Sequence, residues 1–155
     1  MATASTSNAD VVRPIDRSGF DSSKCRVISV EDLPQIVSRE LPGEVIVRID
    51  GIIGQELSRM GELRLEMAEA RQKLHSGEKE LSAHDLYVLQ SGEEIHKATS
   101  AHFREEKGKL LAELQSRYPD KSRMIERYLT LHPAIVHPAM LGQRIGIDQP
   151  IVYKA

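Results

Sequence analysis

The chain has no tryptophan, two phenylalanines and four tyrosines in 155 residues, an aromatic share of 4%. Aromatic side chains carry the largest apolar area per residue, so a core here must be packed from Leu, Ile, Val, Met and Ala. Thin helical assemblies manage that more readily than sandwiches or barrels, and they often complete their core with a second chain. The single cysteine, Cys25, excludes an internal disulfide. No apolar run approaches the length of a membrane span. The first residues lack the basic start and apolar core of a secretory signal peptide. An excess of one charge is missing too: the formal net charge is −2, with both signs interleaved along the chain. Nucleic-acid binding draws most of its affinity from a concentrated basic face, and no such block is present, so no nucleic-acid partner is expected.

Chemical motifs are equally scarce. There is no G-x-S-x-G turn for an activated serine. The spacings Gly51-Ile-Ile-Gly54 and Gly142-Gln-Arg-Ile-Gly146 lack the lysine or third glycine of a phosphate cradle. Cys25 lies in an expected strand with no base beside it in sequence. His75, His84 and His102 do not have the i, i+4 spacing of a helical zinc pair, and His132 and His137 each precede a proline. One short pattern stands out, Glu93-Glu-Ile-His96. Its Glu-x-x-His spacing puts both groups on one helical face, as in carboxylate-bridged di-iron bundles. Such a site needs further carboxylates, which Glu62, Glu66 and Glu69 on a neighbouring helix would have to supply. The blander expectation is a histidine half-buried in a helical seam near Gly92 and Thr99, so no metal or cofactor is expected.

What the sequence does contain is helical periodicity. Residues 51–75 place Ile53, Met60, Met67 and Leu74 at sevens with Leu57, Leu63 and Ala70 between them, an apolar stripe of coiled-coil type. Glu56, Arg59, Glu62, Glu66 and Arg71 fill the outer face. Gly77 suits a helix end. Ser82-Ala-His-Asp85 matches a capping box opening a second long helix over 83–117. Its inward row runs through Leu89, Gly92, His96, Thr99, Phe103, Leu110 and Leu114, flanked by Leu86, Val88, Ile95 and Leu111. So short a connection between two long helices makes them antiparallel neighbours. Tyr118-Pro119 ends the second helix, and Asp120 is placed to cap a third over 121–131, with Met124, Ile125, Tyr128 and Leu129 on one side.

The ends read differently. Residues 1–23 are rich in Ser, Ala, Asp and Thr without periodicity, the composition of a disordered tail. That Ser/Thr-rich start also resembles, in composition alone, the secretion signals of bacterial type III substrates. Residues 24–30 favour a β-strand, Asp32-Leu-Pro34 starts a short helix to about Glu40, and residues 44–49 form a second β-favouring run; if the two runs pair, they make a tiny two-stranded sheet that must lean on the helices. Over 134–155, Pro138, Gly142, Gly146 and Pro150 forbid a helix, yet Ile145, Ile147, Ile151, Val152 and Tyr153 are apolar. Their alternation suits an extended arm, and those five residues are the candidate interaction surface, with a neighbouring subunit as the preferred seat.

The expectation is therefore a mainly α fold: a disordered tail over 1–23, a helical hairpin domain over 24–133 carrying a short third helix and a small β-like N-terminal element, and an extended arm over 134–155. Function follows the architecture. A cytoplasmic, non-enzymatic structural or adaptor protein is expected, assembling with itself or with another protein. The alternatives are a secreted bacterial effector or secretion-apparatus component, exported without a cleaved signal peptide, and a metal-binding hairpin through Glu93 and His96. No small-molecule substrate is evident.

Overall fold

The computed structural model describes residues 25–77 and 80–150. The expected tail over 1–23 and the arm residues Ile151, Val152 and Tyr153 lie outside the described residues. Strand β1 (Cys25–Ser29) leads through a 3₁₀ turn into α1 (Leu33–Glu40), then α2 (Gly43–His75), α3 (Ala83–Arg117), α4 (Ser122–Thr130) and strand β2 (Arg144–Asp148). The fold is mainly α, with one short antiparallel two-stranded sheet. The described residues divide into two compact units, one formed by 25–49 and 111–150, the other by the described part of Asp50–Leu110.

In the first unit β1 pairs with β2, Cys25 opposite Asp148 and Ser29 opposite Arg144. The ladder extends by one bond, from Val30 N–H to the Gln143 carbonyl at 2.9 Å. A two-stranded ribbon is marginal alone and must lean on helices. Here Ile147 is fully buried, together with Met124 and Ile125 of α4, Leu33 and Val37 of α1, and Val45 and Ile49 of α2. Tyr128 and Leu129 complete the inward row of α4, a helical i, i+4 pattern. Asp148 ties the ribbon to that helix: its carboxylate accepts from the Met124 N–H at 2.8 Å. That bond satisfies one of the amide donors every helix leaves open in its first turn.

Two charge clusters brace this unit. Glu40 at the end of α1 accepts from Arg26 of β1 and faces the ammonium of Lys121 at 3.5 Å. Lys121 is almost fully buried, so Glu40 is the counter-charge that makes its burial tolerable. The Arg26 guanidinium, with help from Lys121, holds the Glu40 carboxyl below the ordinary carboxylate range. At the start of α2 and the end of α3, Arg48 grips Glu113 with both guanidinium nitrogens, and Arg117 and Tyr118 both donate to Glu44.

Several expectations are corrected here. Residues 44–49 are helical, so α2 begins at Gly43 rather than near 51, and the partner of β1 is β2. The branched residues at 45 and 49 favour strands in isolation, yet with Ile53 they repeat at i, i+4, and all three are buried along one helix face. Pro42 opens this helix as well as ending the previous one, its carbonyl accepting from the Val45 and Ile46 N–H groups. Neither Asp32 nor Asp120 caps a helix with its side chain. Asp32 has helical backbone angles inside a continuous 3₁₀-to-α run, and the α4 donor is taken by Asp148 instead.

The second unit holds the paired parts of α2 and α3. Ile53, Met60, Leu63 and Ala70 of α2 and Val88, Phe103 and Leu110 of α3 are buried. Leu57 and Leu74, expected in the seam, are 38% and 54% exposed. The buried positions Ile53, Met60, Leu63 and Ala70 keep spacings of seven and three, so the buried stripe is narrower than the one expected. Lys107 bonds Glu56 at 2.8 Å, His84 meets Glu66 at 3.2 Å, and Lys73 meets Asp85 at 3.1 Å, stitching the helices along their length.

The turn end of the hairpin is built as its sequence implied. Gly77 takes a φ of +77°, a left-handed conformation that side chains with a Cβ resist. The capping box is reciprocal: Asp85 N–H donates to Ser82 Oγ at 3.0 Å, and Ser82 N–H donates to the Asp85 carboxylate at 3.2 Å. The Lys73 ammonium, then the Ser82 hydroxyl and the Ser82 backbone N–H, lower the Asp85 carboxyl below its usual range.

Candidate functional site

Within the hairpin unit, α2 and α3 draw together at Gly92. A Cβ at that position would lie 3.0 Å from Met67 Cγ, so the thioether side chain occupies the space a larger residue would need. Beside this contact opens a groove of about 450 Å³, lined by Arg64, Met67 and Arg71 of α2 and by Glu93, His96 and Lys97 of α3. An adjoining cavity of about 390 Å³ shares Met67, Arg71 and Glu93 and continues past Val88, Leu89, Gln90 and Glu94. Helical geometry explains the layout. Arg64 and Arg71 are one heptad apart and so lie on one side of α2, about 10 Å apart along its axis, with Met67 between them. Glu93 and Lys97 are one turn apart on α3 with His96 beside them.

Glu93 and His96 thus share a groove, as their spacing implied, but the carboxylates imagined opposite them are elsewhere. Glu62 and Glu69 do not line it, and Glu66 is engaged with His84. A metal cation placed between Glu93 and His96 would meet two guanidinium groups and an ammonium. Among the described residues no three His, Cys, Asp or Glu side chains gather. The remaining histidines serve locally where they are bonded: His132 and His137 each accept a backbone N–H two residues on through Nδ1, and the His132 ring lies 4.9 Å from that of Tyr128.

The arm residues separate. Ile147 is in the chain's own core and Ile145 is half-buried on the same strand, paired opposite Ile28. Large apolar side chains are instead exposed at the turn end of the hairpin, where Leu74, Leu86 and Tyr87 are 54%, 45% and 55% open to solvent. Leu86 was expected beside the seam, and Leu74 in it. The groove cations went unnoticed in the sequence because Arg71 reads as outer-face charge. The signal available was a pair of arginines one heptad apart around a seam methionine.

No helix among the described residues is long and apolar enough to cross a membrane. No protein-family model, curated protein or solved structure matches the chain.

Proposed function

We propose that this chain is a non-enzymatic structural or adaptor protein that assembles, with itself or with another protein, through its helical hairpin. The observation that carries the reading is the turn end of that hairpin. There Leu74, Leu86 and Tyr87 stand exposed on firmly capped helices. Exposed apolar residues are ordinary on any surface, Val27, Val47 and Leu65 among them here; Leu74, Leu86 and Tyr87 differ in falling in the last turn of α2 and the first turns of α3, where burial against a protein would stabilise them together. Tyrosine and leucine there supply contact area at low conformational cost. The C-terminal strand belongs to this proposal only through residues beyond Pro150, since Ile147 already serves the chain's own fold.

The test is the mass of the full chain by light scattering, alone and in a lysate of its native source, beside a variant with Leu74, Leu86 and Tyr87 changed to serine. The reading expects an assembly larger than one chain that the triple variant loses while keeping its helical circular dichroism. A monomeric mass under both conditions, or an assembly that the triple variant leaves intact, would overturn it.

A further inference from the structure

We infer that the groove between Arg64 and Lys97 is a binding site for a small soluble anion carrying at least two phosphate or carboxylate groups. Its lining holds three permanent positive charges, Arg64, Arg71 and Lys97, against the single carboxylate of Glu93, in a chain whose formal net charge is −2. The cations that bridge the two helices elsewhere in this unit have carboxylate partners: Lys73 has Asp85, Lys107 has Glu56 and His84 has Glu66. Among the described residues Arg64, Arg71 and Lys97 have none. The lining therefore carries an excess of two positive charges around one concavity, and an anion between them lowers their mutual repulsion.

The donor chemistry narrows the ligand. A guanidinium offers two parallel N–H groups that match phosphate or carboxylate oxygens, and these charge-assisted bonds are the strong ones. With the two arginines about 10 Å apart along α2, one compact monoanion satisfies only one of them, whereas a ligand with two or more anionic groups spans both. Lys97 supplies a point charge from the opposite wall, and the His96 ring a further N–H donor. Met67 forms an adaptable apolar floor on which a ligand's carbon skeleton would rest. A volume of about 450 Å³ is that of a small-molecule pocket rather than of a polymer track. This site shares no lining residue with the exposed apolar set Leu74, Leu86 and Tyr87 and does not depend on their role.

The test uses the full chain with ¹³C-methyl-labelled methionine, reading the Met67 methyl resonance during separate titrations with inorganic tripolyphosphate and citrate. A saturable Met67 shift with at least one anion is expected, half-complete below about 1 mM at low ionic strength and weaker in added salt. The variant Arg64→Gln, Arg71→Gln, whose residues are exposed and leave the seam untouched, should weaken it at least about tenfold, as expected for the loss of two charge-assisted contacts. The variant Arg39→Gln, Arg104→Gln loses the same charge at residues that do not line the groove and should titrate like the parent. Tighter saturation by tripolyphosphate assigns the site to phosphates, and tighter saturation by citrate assigns it to carboxylates. No saturation with either anion up to about 10 mM, an unaltered titration in the Arg64/Arg71 variant, or an equal loss in the Arg39/Arg104 variant would overturn the inference.

Discussion

Replacing Ile147 with alanine asks whether the C-terminal strand belongs to the chain's own core or reaches for a neighbour. Ile147 has no exposed surface and stands opposite Arg26 in the ribbon, on the strand that packs against α4. Truncation to alanine removes most of the side chain's apolar surface and leaves a void among side chains as fully enclosed as Met124 and Ile125. Isoleucine-to-alanine changes at such sites cost about 2–5 kcal/mol, depending on how far the surroundings collapse. A site pinned on one side by a hydrogen-bonded ladder collapses poorly, which places the expectation at about 3–4 kcal/mol. With a denaturant slope of about 1.5 kcal/mol per molar, the urea midpoint of the transition that unfolds the strand-bearing unit should fall by about 2 M.

Two controls give the measurement its meaning. Val27 sits on the same ribbon but is 57% exposed, and Val27→Ala should stay within about 0.5 kcal/mol of the parent. Mass by light scattering, taken on the same samples, reads attachment to another subunit independently. The reasoning is refuted if Ile147→Ala unfolds with the parent's midpoint. If that unchanged midpoint came with a loss of assembled mass, Ile147 would act between chains rather than within one.

Three further outcomes are expected. Glu40→Gln should destabilise the strand-bearing unit by about 2 kcal/mol, below the usual cost of breaking a buried pair because Arg26 and Glu40 keep some solvent access, and thermal melts at neutral pH should show it. Because the Glu40 carboxyl is held below its ordinary value in the fold, its contribution is complete above the ordinary value of 4.5 and disappears as pH falls through the lower folded value; the parent's acid limb should therefore be steeper than that of Glu40→Gln. Ser82→Ala removes one arm of the capping box and should cost about 1 kcal/mol, with faster amide exchange confined to the first turn of α3. At Gly92, alanine gains about 1 kcal/mol of helix propensity and asks only that the flexible Met67 yield, whereas leucine must displace it: alanine should melt at or above the parent and leucine clearly below, and the reverse order would refute the close approach of the two helices.

The hairpin was legible because its signals are local. Gly77, the Ser82–Asp85 box and Pro119 act within a few residues of themselves, and each marks a boundary that the structure shows. The face of α4 was equally readable from Met124, Ile125, Tyr128 and Leu129. The two arginines of the groove were visible as residues but not as neighbours. That Arg64 and Arg71 share a concavity with Lys97 depends on the register of one helix against the other, which Gly92 and Met67 set by close contact.

The misassigned segment shows why local signals fail elsewhere. Glu-Val-Ile-Val-Arg-Ile over 44–49 satisfies a strand's preference for branched residues and a helix's i, i+4 spacing equally well, and nothing within it decides between them. The decision is made by residues far away in sequence. Val45 and Ile49 are buried, as are Leu114 and the inward row of α4 in the same unit, while Val47 is left 69% exposed. Arg48 then meets Glu113, and Glu44 meets Arg117 and Tyr118, pairs that form only if this stretch is a helix running beside the end of α3. With that segment committed to a helix, β1 takes its partner from the opposite end of the described chain. Residues 144–148, which by themselves read as an arm seeking any open strand, find β1 first. Chain connectivity favours that outcome, because a strand held on the same polypeptide is presented at a higher effective concentration than one on a separate subunit.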